Sequence, residues 1–288
     1  MTFQVHRVAV IGAGTMGVGI AQAAATAGWH TLLTDARPEI LPSALLSIGK
    51  TLEGAVTRGK LAADERDRIR ERISIVNSIA EASRNADLVI EAVIEDLGVK
   101  QGVLAEVARV VSDTALLATN TSSLSVGALA AGLPRPARLV GLHFFNPVHL
   151  MRLVEIVIHD LADDSTREDA LSVVKALRKE AVVVKDSPGF ASSRLGVVLG
   201  LEAIRMVEQG VASPADIDRA IELGYNHPMG PLRLTDVVGL DVRLRIAEYL
   251  HSTLKEDQYQ PPELMRRMVA QGELGKKSGK GFYEWPEG

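Results

Sequence analysis

Short apolar runs alternate with helix-favouring stretches over the first two thirds of the chain. The run Val8 to Ile11 is apolar throughout and ends at a glycine, which is typical of a strand buried on both faces of a parallel sheet. The alanine-rich stretch Met16 to Ala27 is then predicted to form a helix that ends at Gly28. Later strand-like runs are Leu32–Leu33, Leu88–Ile90, Leu116–Ala118, Leu139–Leu142, Val154–Ile158 and Val182–Val184. Strands that alternate with helices predict βαβ units and a doubly wound α/β sheet.

The segment from about Pro38 to Ser74 interrupts this alternation. It is long, charged and helix-favouring, and we expect a helix, a turn near Gly59 and a second helix. Its basic residues are Lys50, Arg58, Lys60, Arg66, Arg68, Arg70 and Arg72. We interpret it as a helical insertion in the N-terminal domain.

The pattern changes at Asp186-Ser-Pro-Gly189, after which strand signals vanish. The predicted helices beyond this point are Phe190–Glu208, Pro214–Leu223, Gly239–Leu250 and Pro262–Ala270. The chain is therefore expected to hold an α/β domain with a Rossmann-like doubly wound sheet, residues 1–187, and an all-α domain, residues 188–288.

Composition narrows the possible function classes. The chain has 288 residues, a formal net charge of −4 and 47% hydrophobic positions. It can fill a core, and it lacks the charge excess by which proteins bind nucleic acid or a membrane surface. It has no cysteine, which excludes disulfides and thiolate metal sites, and no metal site is expected. No apolar run has the length of a signal core or a membrane span, so we expect a cytoplasmic protein.

The sequence Gly12-Ala-Gly-Thr-Met-Gly17 lies between the first predicted strand and the first predicted helix. In this pattern the first glycine permits a tight turn, the second lets the backbone approach a pyrophosphate, and the third allows close helix–strand packing. Asp35 ends the next strand, where a carboxylate can accept hydrogen bonds from a ribose diol. The expected cofactor contacts are Gly12, Ala13, Gly14, Thr15, Met16, Gly17 and Asp35. NAD is favoured over NADP because Asp35 would repel a 2′-phosphate, although Arg37 could soften that repulsion.

His143 and Glu155 are the candidates for acid–base chemistry. His143 follows a strand-like run and so lies at the carboxyl end of a strand, where open α/β sheets bind ligands. Glu155 interrupts the apolar run Leu153 to Ile158, and a lone carboxylate in a buried strand is costly unless it is paired. A pair with His143 would orient the imidazole and stabilise its protonated form, as a general base for an alcohol requires. The alternative is a core histidine and an unrelated glutamate.

Polar residues also follow two other predicted strands. Ser122, in Asn120-Thr-Ser-Ser, comes after the strand-like run that ends at Ala118, and its hydroxyl could hold a substrate oxygen. The alternative is that Ser122 or Ser123 only caps the next short helix. Glu91 and Glu95 follow the run Leu88 to Ile90, and they could be acids at the sheet end with no role.

The chain resembles the L-3-hydroxyacyl-CoA dehydrogenase family over nearly its whole length. The motifs that carry the resemblance occur in order: Ile-Gly-Ala-Gly-Thr-Met-Gly, Asn-Thr-Ser-Ser, Gly-Leu-His-Phe-Phe-Asn-Pro, Asp-Ser-Pro-Gly-Phe, His-Pro-Met-Gly-Pro and Gly-Lys-Lys-Ser-Gly-Lys-Gly-Phe-Tyr. The bacterial 3-hydroxybutyryl-CoA dehydrogenases are the most similar members. The resemblance implies reversible, NAD-dependent oxidation of an L-3-hydroxyacyl-CoA, with a short acyl chain.

The resemblance also implies roles for individual residues. His143 would be the catalytic base, Glu155 its partner, and Ser122 a ligand of the substrate's 3-oxygen that also contacts the cofactor. Cofactor contacts would further include Glu95, Lys100, Asn146 and Lys277. Coenzyme A would be bound by the helical insertion, with Thr51 and Arg58 at its binding positions and Lys60 nearby.

One position departs from the family pattern. Many members have Pro-Gly-Phe-x-x-Asn-Arg with the asparagine in the active site, whereas this chain has Ser193 at that position. A hydroxyl donates one hydrogen bond and cannot copy the reach of an amide, although a bridging water could restore the contact. We expect the change to affect the rate and the acyl preference more than the reaction class.

Two other hypotheses keep the fold and change the function. The substrate could be 3-hydroxyadipyl-CoA or a sugar acid such as gulonate, whose free carboxylate would need a cation, Arg233 or Arg243. Alternatively, the chain could be a non-catalytic nucleotide-binding relative, but the presence of both His143 and Glu155 weighs against that hypothesis. The stretch Leu195 to Ala203 is apolar nearly all round, so we expect the helical domain to form a homodimer interface.

Overall fold

The computed structural model describes residues 3–286. They form two compact units, with the break between Ser187 and Pro188. No helix within the described residues combines the length and apolar character needed to span a bilayer.

The first unit is built on one eight-stranded sheet in the order β3-β2-β1-β4-β5-β6-β7-β8. Its strands are β1 (Arg7–Ile11), β2 (His30–Thr34), β3 (Ile73–Ile75), β4 (Leu88–Glu91), β5 (Leu116–Thr119), β6 (Leu139–Phe144), β7 (Leu153–Ile158) and β8 (Glu180–Lys185). All neighbouring strands are parallel except the antiparallel pair β6 and β7. This order places β1 and β4 side by side at the point where the chain reverses direction across the sheet, which is where such sheets bind ligands. The predicted doubly wound sheet is confirmed.

Helices connect the strands of this sheet. They are α1 (Thr15–Thr26), α2 (Leu41–Thr57), α3 (Ala63–Glu71), α4 (Ile79–Ser83), α5 (Leu97–Ala108), α6 (Val126–Ala130) and α7 (Asp164–Ala176). The apolar side chains of β1 and β4 and the inner alanines of α1 are fully buried, so this junction is the centre of the core. The sequences of these strands are apolar throughout because both faces of the sheet are covered.

The charged segment after β2 forms α2 and α3, with a turn at Gly59, as its pattern predicts. The C-terminal end of this segment differs from the expected helix. Ile73 and Ser74 belong to β3, which pairs with β2 through Thr31 opposite Ile73. The alternating Ile-Ser-Ile pattern favours a strand, and the edge of β2 supplies backbone partners that a helix would leave unused. The segment is thus the crossover from β2 to its parallel neighbour β3.

The second unit is mostly helical, as predicted. Its helices are α8 (Ser192–Glu208), α9 (Pro214–Gly224), α10 (Pro231–Val238), α11 (Leu240–Leu254) and α12 (Glu263–Ala270). The sequence patterns did not predict α10. Two buried carboxylates fix the C-terminal segment against these helices. Asp236 accepts bonds from the Phe282 and Tyr283 amides, and Asp218 accepts one from the Tyr283 hydroxyl at 2.7 Å. Both carboxylates are hydrogen-bonded, as buried polar groups must be.

Candidate active site

The glycine turn between β1 and α1 has two positions that admit no side chain. Gly12 has φ +111°, and a Cβ there would lie 2.5 Å from the Ala92 carbonyl oxygen of the loop after β4. A Cβ at Gly17 would lie 1.8 Å from the Gly12 carbonyl oxygen. These two glycines are therefore required by the close approach of backbone to backbone.

Gly14 differs from them, because a Cβ built there would meet no protein atom within 4 Å. The space in front of it is open, and Gly14 precedes α1 without any side chain capping the helix. Thr15 and Met16 begin that helix, so its first N–H groups and the positive end of its dipole face the open space. An anionic group such as a pyrophosphate fits this cradle.

Asp35 connects the glycine turn to the end of β2. Its Oδ2 accepts a hydrogen bond from the Ala13 amide at 2.7 Å, and its Oδ1 accepts one from the Arg37 amide at 2.9 Å. The half-buried carboxylate thus sits beside the turn, as a ribose-binding acid must. The open space before α1 thus fits the pyrophosphate of a dinucleotide, and the position of Asp35 fits its ribose.

His143 and Glu155 face each other across the antiparallel pair of strands. The register places them directly opposite, and His143 Nδ1 lies 2.8 Å from Glu155 Oε2. Both side chains are buried, with Glu155 only 1% exposed. The bond to the carboxylate places the proton on Nδ1, so Nε2 carries the ring's lone pair. The expected pairing is present, and it gives a base whose carboxylate partner can stabilise the positive charge that forms on the imidazole.

A buried ion pair lies at the carboxyl end of β4. Glu91 accepts hydrogen bonds from Lys100 Nζ at 2.7 Å, the Thr119 hydroxyl at 2.6 Å and the Val93 amide at 2.7 Å. Glu91 and Lys100 are 0% and 1% exposed. Lys100 Nζ also lies 3.4 Å from Glu95 Oε2, so one ammonium joins both acids. Glu91, which the sequence left without a role, anchors this cation.

Glu95 in turn holds the loop that carries Ser122. Its Oε1 accepts hydrogen bonds from the Thr121 hydroxyl at 2.7 Å, the Ser122 amide at 2.8 Å and the Ser122 hydroxyl at 3.0 Å. Burial raises the pKa of Glu95, but the Lys100 charge and the Thr121 and Ser122 hydrogen bonds outweigh it, so the pKa lies below its usual value. The helix-cap alternative for Ser122 is wrong, because the hydroxyl that caps α6 belongs to Ser125.

Asn120 was not singled out by the sequence, yet it joins the ends of β5 and β6. Its Oδ1 accepts a hydrogen bond from the Phe144 amide at 2.9 Å, next to His143. The available signal was its position directly after Thr119, the first polar residue beyond the strand-like run that ends at Ala118. Through it, the loop that carries Ser122 is tied to the strand that carries His143.

A cavity of about 330 Å³ brings several predicted ligand contacts together. Its walls include Ala13, Gly14 and Thr15 of the turn, Thr51 of α2 and Asn146 of the loop after β6. The Thr51 hydroxyl donates to the Ser47 carbonyl at 3.0 Å within α2. Arg58, at the C-terminal end of α2, lines a different cavity.

The other predicted residues belong to the second unit. Ser193 lies in the first turn of α8, and Lys277 forms an ion pair with Asp241 of α11. The Arg233 guanidinium stacks on the rings of Tyr283 and Trp285.

Arg243 is 7% exposed and donates to the Gly196 carbonyl, and burial lowers its pKa to about 10. Within residues 3–286, no cluster of His, Asp and Glu side chains is arranged to hold a metal ion.

Each of the two units matches the model of a known protein family. Residues 7–187 match the model of the 3-hydroxyacyl-CoA dehydrogenase NAD binding domain, and residues 189–285 match that of the 3-hydroxyacyl-CoA dehydrogenase C-terminal domain.

Among curated relatives, a 3-hydroxybutyryl-CoA dehydrogenase of Mycobacterium tuberculosis is 44% identical over 289 residues, covering 99% of this chain and 100% of that protein. A 3-hydroxyadipyl-CoA dehydrogenase of Escherichia coli is 41% identical, over 99% of this chain and 60% of that protein. A crystal structure of (S)-3-hydroxybutyryl-CoA dehydrogenase from Ralstonia eutropha superposes with a TM-score of 0.94 at 36% identity, over 99% of this chain and 100% of that chain. The chain therefore belongs to the 3-hydroxyacyl-CoA dehydrogenase family, whose members are NAD-dependent oxidoreductases.

Proposed function

We propose that the chain catalyses the reversible, NAD-dependent oxidation of L-3-hydroxybutyryl-CoA to acetoacetyl-CoA. The observation that carries the proposal is the 2.8 Å hydrogen bond between buried His143 and Glu155, on the sheet whose β1–α1 turn fits a dinucleotide. The names of the Mycobacterium tuberculosis and Ralstonia eutropha relatives support the acyl group.

The residues of this chain would divide the work as follows. His143 Nε2 accepts the proton of the C3 hydroxyl, and the Glu155 carboxylate stabilises the imidazolium that forms. The Ser122 hydroxyl, which donates to Glu95 Oε1 in the structure, would turn to donate to the C3 oxygen, with Glu95 and Lys100 fixing its loop. When bound at the glycine turn, NAD supplies the hydride acceptor. The second-unit residues Ser193 and Lys277 remain predicted contacts of substrate and cofactor.

We further propose that the cofactor is NAD rather than NADP. Asp35 supports this preference, because its carboxylate beside the Ala13 amide would repel a 2′-phosphate. The Arg37 side chain is 69% exposed and lies 3.9 Å from Asp35, so it screens that charge weakly. Turnover with NADH and NADPH at equal concentration measures the preference, and equal rates would refute it.

The decisive experiment is an NADH-coupled assay with acetoacetyl-CoA. His143→Gln is expected to lose roughly 10²- to 10⁴-fold in turnover, as general-base removal does, while NADH binding measured by fluorescence survives. His30→Gln, at an exposed histidine that begins β2, is the matched control and should leave turnover unchanged. Near-normal turnover in His143→Gln would refute the assignment, and a wild-type protein that consumes no NADH would refute the function.

A second candidate substrate is 3-hydroxyadipyl-CoA, favoured by the name of the Escherichia coli relative. Its free carboxylate would need a cation. The ratio of kcat/KM for 3-ketoadipyl-CoA and acetoacetyl-CoA decides between them, and a higher value for the dicarboxylic substrate would overturn our choice.

We also propose a homodimer located in the cytoplasm. On α8, Val197 and Leu201 pack inside the second unit, whereas Leu195 is 72% exposed, and a partner subunit would cover it. Sedimentation of the purified protein tests the dimer, and cell fractionation tests the location. A monomer at micromolar concentration, or recovery in the membrane fraction, would contradict them.

A further inference from the structure

The helical second unit contains a buried cation that no acid of the described chain neutralises. Arg243 of α11 is 7% exposed, and its guanidinium donates to the Gly196 carbonyl of α8. Its Nε is buried without a hydrogen-bond partner among the described residues. Burial lowers its pKa to about 10 with no offset from a described carboxylate, so the group stays charged near neutral pH. A buried charge of this kind is costly unless an opposite charge accompanies it.

Two glycines of α8 leave room for this guanidinium. A Cβ at Gly200 would lie 3.1 Å from Arg243 Nη1, and a Cβ at Gly196 would lie 3.7 Å from the same atom. Glycine weakens the interior of a helix, so two of them at these positions indicate that space beside α8 is kept for the Arg243 head group.

The same face of α8 carries Ser193, the predicted contact of the substrate. Residues 193, 196 and 200 are spaced by three and four, which places them on one face of the helix. Ser193 and Gly196 are half-buried and Gly200 is buried, so this face is more accessible towards Ser193. Along the helix axis Gly196 lies roughly 4.5 Å beyond Ser193, at about 1.5 Å per residue. A ligand that contacts Ser193 and continues along this face reaches the Arg243 donors within a few bonds.

An acyl chain that ends in a carboxylate has the matching charge and length. In a 3-hydroxyadipyl group the carboxylate carbon lies three carbon–carbon bonds beyond C3, a reach of roughly 4 Å. We propose that Arg243 forms a carboxylate-binding subsite, through which the chain accepts, besides acetoacetyl-CoA, 3-ketoacyl-CoAs whose acyl chain ends in a carboxylate. The inference rests on the proposed function and extends it to a second class of acyl group. A guanidinium suits a carboxylate because its planar fork of N–H donors binds both oxygens.

Arg233, the other arginine that the sequence offers for a free carboxylate, is in a different situation. It is exposed, and its Cζ lies 5.4 Å from the ring centre of Tyr283 and 5.0 Å from that of Trp285. A hydrated guanidinium stacked on two aromatic rings is already stabilised. Arg243 is the one of the two whose charge is both buried and uncompensated, so a bound carboxylate stabilises it more.

The test uses two substrates of equal chain length, 3-ketoadipyl-CoA and 3-ketohexanoyl-CoA, which end in a carboxylate and a methyl group. The wild type is expected to show a kcat/KM about tenfold higher for 3-ketoadipyl-CoA, the size of effect that one charged hydrogen bond gives. Arg243→Met should reverse this preference, because an apolar side chain favours the methyl end. Arg243→Lys keeps the charge without the fork and should retain a smaller preference. Arg245→Met is the matched control, since Arg245 lies on the same helix with its side chain 73% exposed, and it should keep the wild-type ratio.

A purely structural role for Arg243 predicts a different pattern. If the guanidinium only held α8 through the Gly196 carbonyl, Arg243→Met would lower the urea midpoint and reduce both kcat/KM values by the same factor. A ligand subsite predicts a midpoint at or above that of the wild type, because the variant removes an uncompensated buried charge. Equal ratios in the wild type and Arg243→Met, or a wild-type ratio of one or less, would overturn the inference. A lower sedimentation coefficient in Arg243→Met would assign the cation to a subunit interface and overturn it as well.

A binding measurement separates this inference from the proposed function. Adipyl-CoA and hexanoyl-CoA lack the 3-oxygen and cannot react, so calorimetric titration reports the subsite alone. The wild type is expected to bind adipyl-CoA about tenfold more tightly than hexanoyl-CoA, and Arg243→Met should lose that difference. Equal binding of the two thioesters by the wild type would overturn the inference even where acetoacetyl-CoA is turned over. Binding that depends on Arg243, in a protein that consumes no NADH, would overturn the proposed function and leave the carboxylate subsite supported.

Discussion

Lys100→Met is the substitution for which the structure gives the firmest energetic prediction. It removes the cation from a pair in which Glu91 is 0% exposed and Lys100 is 1% exposed, and methionine fills much of the lysine stem's volume. The Glu91 carboxylate keeps the Thr119 hydroxyl and the Val93 amide as donors but loses its bond to Lys100.

The magnitude follows from that burial. Breaking one partner out of a buried ion pair costs about 3–5 kcal/mol, because an uncompensated charge is left in the interior. Removing both charges costs much less, since a glutamine at position 91 can accept from the Val93 amide through its oxygen and donate through its amide nitrogen to the Thr119 hydroxyl oxygen. We expect Glu91→Gln/Lys100→Met to be at least ~2 kcal/mol more stable than Lys100→Met alone.

The assay is urea unfolding followed by tryptophan fluorescence. The chain has two tryptophans, Trp29 in the first unit and Trp285 in the second. In a Trp285→Phe background, Trp29 reports the unit that contains the ion pair. A loss below about 1 kcal/mol for Lys100→Met, or a double variant as unstable as the single one, would refute the reasoning. Glu95→Gln is the control for the weaker pair, because the Glu95 side chain is 35% exposed.

Four other substitutions give distinct results. Gly14→Ala should leave urea unfolding unchanged and weaken NADH binding, whereas Gly17→Ala should destabilise the first unit, because a Cβ at Gly17, unlike one at Gly14, would collide with backbone. Equal behaviour of the two variants would contradict this. Ser193→Asn should raise kcat/KM for acetoacetyl-CoA by roughly two- to tenfold, the worth of one hydrogen bond, and an unchanged value would show that a hydroxyl suffices. His149→Gln should change how stability depends on pH. Burial, Arg58 and Lys179 hold the pKa of His149 below its usual value, so the unfolded chain binds the proton more readily and wild-type stability falls as pH drops through about 6.5. The variant should lose less over that range, and parallel pH curves would contradict the sign.

The first unit was predictable where one periodicity dominated. The runs of β1 and β4 are apolar on both faces, and the glycine turn has a required order of strand, glycines and helix, so local sequence specified both. His143 and Glu155 were also accessible to sequence reasoning, because each breaks an apolar pattern that its neighbours keep.

Features that depend on distant partners were not predictable. Lys100 is a residue type that is rarely buried, and the burial of its side chain from α5 depends on Glu91 of β4, which Thr119 of β5 also binds. The strand at Ile73 depends on the free edge of β2, and the cavity lined by Arg58 joins residues from α2, α7 and the loop after β6. In each case contacts between distant parts of the chain determine a structure that the local sequence does not specify.

The antiparallel pairing of β6 and β7 has a consequence for how the molecule assembles. Because these strands are consecutive in the chain, His143 and Glu155 meet by closing a short loop, and hairpins form within about 1–10 μs. The glycine turn is completed only when β1 pairs with β4, and Val8 lies opposite Leu88 in that pairing. Contacts between distant parts of a chain form slowly because they close large loops. The proton-transfer pair is thus a local product of folding, available early, whereas the dinucleotide cradle must wait for the sheet.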